Sequence, residues 1–196
     1  MSKRKNSEKY YRIIEAATRV FAKKGFYQSK ISEIARAAQV ADGTIYIYFE
    51  NKDDILISLF EEQMQAVLDN MAVQISGIDD PVKKLERFAS THLGLIEKNK
   101  DMAEIIQVEL RQSGKFMKEY KNEKFSQYLN IIEDIIREGQ EQGLFRKDVI
   151  PGVAKRAFFG ALDEVSRCWV LSRRRRYDIR TVAKQISEYF LSGIKT

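Results

Sequence analysis

One cysteine, one histidine, one tryptophan and two prolines are all that 196 residues supply of those four types. Cys168 has no partner for a disulfide within the chain, which fits a reducing compartment. Its neighbours are apolar, so a small buried thiol is expected. The single histidine, His92, has no matching cluster of cysteines or carboxylates, and no metal site is expected. Prolines stand only at 81 and 151, and long alternating β-branched runs are missing, so helix runs through the chain. No stretch of about 18 apolar residues exists to span a membrane. The basic start leads into an amphipathic helix rather than an apolar signal core, so a cytoplasmic protein without membrane partners is expected. Gly-x-Ser-x-Gly, His-Glu-x-x-His, Cys-x-x-Cys and a Gly-rich phosphate loop are all missing. Cys168 also has no histidine positioned to activate it. Neither an enzyme nor a cofactor is expected.

What is present is a charge imbalance. Residues 1–52 hold 11 Lys and Arg against 5 Asp and Glu, a net of +6. Residues 53–196 hold 23 of each. The whole formal excess therefore lies on the first quarter of the chain, the footprint of a nucleic-acid-binding head on a neutral body.

Within that quarter, residues 31–52 read as two short helices joined by a tight turn. Ile31, Ile34, Ala35 and Ala38 recur at three and four residues and give the first helix an apolar face. Ser29 stands where it can cap that helix. Gln39, Val40 and Ala41 form the turn, with Val40 pinning the two helices together. In the second helix Ile45 and Phe49 point inward, while Gly43, Tyr46, Ile47 and Glu50 face outward and Thr44 and Tyr48 flank them. A surface helix seldom shows water a Gly, a Tyr and an Ile together, and Gly at a helix start costs stability. Those choices suit a face that meets a duplex: Gly allows close approach, Ile touches a thymine methyl, Tyr and Thr bond phosphates or base edges. A short helix packed on a neighbouring domain is the alternative. Asn51 can cap the next helix, and Lys52 at its start makes an anion site or is a solvated lysine.

The first helix, from about Ser7 to Lys24, buries Tyr10, Ile13, Ile14, Ala17, Val20 and Phe21 and braces the pair, giving a three-helix head. Residues 1–6 are a basic arm or a plain tail. From Asp53 to about Ile75 an apolar stripe continues for six turns and links the head to a second core. Helices follow after Pro81, over 101–113, from about Phe116 to Gln142, from Pro151 to Ser172 and from Ile179 to Gly193. His92 lies on an apolar face, as a satisfied core histidine or as the lining of a cavity. The last two helices are apolar on broad faces, and meeting their copies in a homodimer would cover them. Arg173 to Arg176 make a solvated loop or hold an anionic headgroup or phosphate.

The stretch Ile34-Ala35 followed by Val40-Ala-Asp-Gly-Thr-Ile-Tyr-Ile-Tyr-Phe49-Glu-Asn-Lys52 resembles the head of the TetR family of transcriptional regulators. The resemblance implies an all-α dimer, with a helix-turn-helix DNA-binding domain at 1–52 and a ligand-binding and dimerisation domain at 53–196. Carried over by position, Gly43, Thr44, Tyr46 and Ile47 would face bases, Tyr48 and Lys52 would hold phosphates, and Ser29, Lys30 and Ser32 would touch the DNA backbone. Asp42 departs from the commoner Ser or Lys, and an acid there repels a phosphate. Further stretches, among them Glu109-Leu-Arg-Gln-Ser113, Tyr128-Leu-Asn-Ile131 and Trp169-Val170, are similar to the TetR-type regulators of fatty-acid degradation. Those are repressors of β-oxidation genes released from double-stranded operators by long-chain acyl-CoA. That likeness implies an acyl tunnel lined by Phe88, His92, Leu93, Ile106, Tyr128, Leu129, Phe158 and Trp169, with Arg111 for the CoA phosphates. A multidrug-type regulator sensing lipophilic cations through Asp163, Glu164 or Glu109 stays open. So does a small enzyme or membrane-surface protein using the Arg173 run.

Overall fold

The computed structural model describes residues 7–109, 120–172 and 177–196. The basic arm, Arg111 and Arg173 to Arg176 lie outside the described residues. Nine α-helices are described: α1 Glu8–Lys24, α2 Ile31–Ala37, α3 Asp42–Tyr48, α4 Lys52–Ile75, α5 Pro81–Lys98, α6 Lys100–Glu104, α7 Glu123–Glu141, α8 Pro151–Leu171 and α9 Ile179–Ile194. A π-helical turn, Ile105–Glu109, continues α6. No strand occurs among the described residues, only one bridge between Phe145 and Lys195. The all-α expectation therefore holds.

The helices gather into two compact units, Met1–Gln63 with Lys100–Lys121, and Met64–Asn99 with Asn122–Thr196. Helix α4 supplies residues to both. In the first unit α1 packs on α2, on α6 and on the π turn, and α2 packs on α3. Its core is Tyr10, Ile13, Phe21, Ile34, Ile45 and Phe49, all but sealed from water. Removing such side chains from water is the main force holding a helix only seven residues long, which would not persist alone. In the second unit α5 lies against α9, α7 and α8, and α7 lies along α8. Phe88, Tyr128 and Phe158 are buried at its centre.

Helix ends follow side-chain chemistry. Ser7 Oγ accepts from the Tyr10 N–H, Asn51 Oδ1 from Asp54, Asp80 Oδ1 from Val82 and Asp178 Oδ2 from Thr181, each meeting one amide the helix leaves unpaired. Gly25 ends α1 at φ 79°, in the left-handed region that costs glycine least.

Three expectations need correcting. Ser29 does not cap α2: its hydroxyl turns back to donate to the Gly25 carbonyl at 2.7 Å, and Lys30 occupies the cap position instead. There Glu33 reaches back to accept the Lys30 N–H at 3.0 Å, and it also pairs with Lys24. Cys168 is exposed rather than buried, its thiol donating to Glu164. Its apolar sequence neighbours misled because adjacent helical residues point about 100° apart. Helix α7 begins at Glu123, so Tyr120 precedes it; Asn122 Oδ1 accepts the Phe125 N–H and sets that start. The helix expected over 101–113 is present as far as it is described, as α-helix to Glu104 and as the π turn to Glu109.

Candidate functional site

Two clusters of side chains are candidates, an exposed one in the first unit and one within the core of the second. In the first, α3 presents Tyr46 at 58% and Ile47 at 51% exposure, with Gly43 exposed on the same side. A Cβ added at Gly43 would meet nothing within 4 Å, so its lack of a side chain serves no packing need within the chain. Thr44 is half-buried, its N–H bonded to the Ala41 carbonyl. Ile45 and Phe49 hold the inner side of α3, Phe49 stacked on Tyr10 with ring centres 5.3 Å apart. Tyr48 is half-buried and its hydroxyl accepts from Ser7 at 3.1 Å. Gln39 takes φ 55°, a left-handed turn residue. Arg12 steadies it by donating to the Ala38 carbonyl at 2.6 Å.

Lys30 and Ser32 are exposed at the start of α2, whereas Ser29 is buried. Lys52 is half-buried and turned inward. Its ammonium donates to the carbonyls of Phe26, Tyr27 and Ser29 at 2.6, 3.2 and 3.0 Å. Partial burial lowers its pKa, with Asp53 opposing. Tyr27, 64% exposed beside that contact, was not singled out from sequence. An isolated Tyr after a helix-ending Gly carries no periodic signal. Asp42 is exposed in the first turn of α3, where a carboxylate suits the helix dipole.

The second cluster surrounds His92. Its Nδ1 lies 2.9 Å from the Tyr128 hydroxyl and its Nε2 3.5 Å from Ser166 Oγ. Ser166 donates onward to the Leu162 carbonyl at 2.7 Å. The chain of donors is consistent with one tautomer: Tyr128 donates to Nδ1, and Nε2–H points to Ser166. Phe88 lies parallel to the imidazole, and Phe159 meets it edge-on at 5.5 Å. Phe125 and Phe158 extend the aromatic group through Phe159 and Phe88. Leu93 and Leu129 are buried in the same unit and Trp169 is half-buried. Ile106 is half-buried and belongs to the first unit. Ser166 was missed in the sequence because a mid-helix serine bonded to the carbonyl four residues back looks like any other.

Removal from water pushes the His92 pKa down from 6.5 to about 4, with Asp163 opposing. The imidazole is therefore neutral at physiological pH. Because the folded value is depressed, the unfolded chain binds the proton more tightly between those two values. The stabilisation is complete above pH 6.5 and is lost as the pH falls toward 4. Urea melts should show an acid loss approaching about 3 kcal/mol that His92→Gln lacks; parallel pH curves for the two proteins would refute this. Glu164, one of the carboxylates considered for a cation site, is exposed and paired with Arg167 at 2.6 Å. The Glu109 side chain lies outside the described residues. Among the described residues no group of three or more His, Cys, Asp or Glu is placed to hold a metal ion.

The model for bacterial regulatory proteins of the tetR family matches residues 13–59, and that for the YsiA-like protein C-terminal region matches residues 60–193. The fatty acid metabolism regulator protein of Bacillus subtilis is 39% identical over 186 residues, 95% of each chain. A crystal structure of the regulator FadR from Bacillus subtilis in complex with stearoyl-CoA superposes with a TM-score of 0.87 at 38% identity, covering 94% of this chain and 99% of that one. The fatty acid degradation regulator FadR from Bacillus halodurans gives 0.88 at 38% identity, covering 96% and 97%. An exposed helix-turn-helix on a basic first segment, joined to a helical second unit over nearly the whole length of these relatives, places the chain in the TetR family of bacterial transcriptional regulators.

Proposed function

We propose that this regulator is a cytoplasmic homodimeric repressor of fatty-acid-degradation genes, released from its operator by long-chain acyl-CoA. The observation that carries the reading is the likeness, over nearly the full length of both chains, to a FadR crystallised with stearoyl-CoA. Residues 1–52 form the DNA-binding segment and 53–196 the effector-binding and dimerising one. Gly43, Thr44, Tyr46 and Ile47 face base edges. Lys30, Ser32 and Tyr48 hold the backbone, while Ser29, buried with its hydroxyl, N–H and carbonyl all bonded within the chain, is left to shape the turn before α2. The two heads of a twofold dimer enter successive major grooves about 34 Å apart. Helices α8 and α9 meet their copies. No helix among the described residues is long and apolar enough to cross a membrane, and no membrane partner is invoked.

The acyl chain lies among Phe88, Leu93, Tyr128, Leu129, Phe158 and Trp169 of the second unit, beside the neutral His92. Apolar walls carrying few polar groups suit an alkyl chain. The ligand must favour a state with altered head spacing to release DNA, about 1.4 kcal/mol for each tenfold loss of affinity. Gel-shift titration with palmitoyl-CoA tests this. Operator affinity should fall at least about tenfold at saturation, with no response to CoA alone. Unchanged affinity would remove the acyl-CoA claim and leave DNA binding standing.

A further inference from the structure

Lys52 is the first residue of α4, where a cation faces the positive end of the helix dipole. Something must offset that placement. The ammonium has three hydrogens, and the structure gives it three acceptors, the carbonyls of Phe26, Tyr27 and Ser29. It also sits 4.5 Å from the centre of the Phe26 ring, a cation–π contact. Its donors are all used inside the chain, leaving none for a phosphate.

The segment it grips is otherwise held from within α1, α2 and the turn itself. Residues 25–30 connect α1 to α2 and carry exposed Tyr27 and Lys30. Phe26 is buried, Ser29 bonds back to Gly25, and Glu33 ties Lys30 and Lys24 together on the far side. Lys52 is the tie that reaches this turn from α4, 26 residues along the chain from Phe26.

We propose that Lys52 is a positioning residue: a three-pronged tie that fixes the turn before α2 to the start of α4, rather than a phosphate ligand. The inference rests on the operator-binding reading and deepens it. A shift of the first turn of α4 pulls on residues 26–29, and through them on Lys30 and Ser32 at the entry to α2. Movement at α4 thus changes where the head places its backbone contacts, not only where the head lies.

Arginine separates the two roles. It keeps the charge and binds phosphate well, but its planar fork cannot converge on three carbonyls grouped around one ammonium. The probe is a duplex enriched by the wild-type full-length protein from a random pool, compared with a non-specific duplex. Lys52→Arg should lose about tenfold in affinity for the enriched duplex, with unchanged affinity for the non-specific one. The slope of log affinity against log salt should also stay the same, since no phosphate contact has gone. Backbone amide exchange at Ser29 and Glu33 should rise about tenfold while the amides of α1 stay protected. Wild-type affinity in Lys52→Arg, together with a slope shallower by about one per head in Lys52→Met, overturns the proposal and assigns Lys52 to a phosphate. Unaltered exchange at Ser29 and Glu33 in Lys52→Arg overturns it too, and does so whether or not any duplex is enriched. Failure of the wild type to enrich a duplex counts instead against the operator-binding reading.

Discussion

Tyr46→Ala combined with Ile47→Ala should reduce operator affinity by at least roughly 1,000-fold while leaving the fold's thermal midpoint almost unchanged. Both side chains are more than half exposed, and neither belongs to the core of the first unit. Truncating them leaves no cavity, and alanine is the better helix former. In the proposed complex the same atoms lie against bases. A lost apolar or hydrogen-bonded base contact costs about 1–3 kcal/mol, and a twofold dimer loses each one twice. Affinity for non-specific duplex should hardly move, because that term comes from phosphates and the basic charge is untouched. Fluorescence anisotropy on the two duplexes, with a thermal melt beside it, checks the result. A variant that binds operator like the wild type would remove α3 from the role of reading bases. One that melts early would show that the exposed face has a packing partner within the chain.

That face was legible in the sequence because periodicity carries it. Once Ile45 and Phe49 are placed inward, helical spacing leaves Gly43, Tyr46 and Ile47 outward, and burial divides them the same way. Asn51, Asp80 and Gly25 announce helix ends by chemistry that acts over three or four residues. Long-range choices were not legible. Ser29 has a hydroxyl within reach of either α2 or α1, and the contact with Gly25 is settled by how the turn folds back. The three carbonyls around the Lys52 ammonium come from a turn more than twenty residues away, which no local pattern at the start of α4 reveals. The polar chain from Tyr128 through His92 to Ser166 joins three helices, and no local pattern announces such a meeting. Cys168 shows the converse failure. Apolar neighbours in sequence say nothing of the direction in which one helical residue points.

Ala157→Arg should convert the proposed dimer to a monomer and, without touching α3, lower operator affinity at least about 100-fold. On α8, Val153, Ala157, Gly160, Ala161, Cys168 and Leu171 lie along one exposed side, with the carboxylate of Glu164, held by Arg167 and Cys168, among them. A Cβ added at Gly160 meets nothing within 4 Å. Small and apolar side chains sharing one open helix face let a second helix come close, and twofold symmetry lets the same stripe serve both partners. Tyr189, 71% exposed on α9, adds apolar area beside it. An arginine at 157 has room in the single chain, so the subunit stays folded. At the axis of a dimer two guanidinium groups would be buried without partners, a cost of several kcal/mol for each ion. Light scattering at micromolar protein should give half the mass of the wild type. Losing the second head removes the gain from tethering, which at millimolar effective concentration is worth a factor of roughly 100 to 10,000. A variant that stays dimeric would place the interface elsewhere. A monomer that keeps full affinity would show that one head suffices, and the spacing mechanism of release would fall with it.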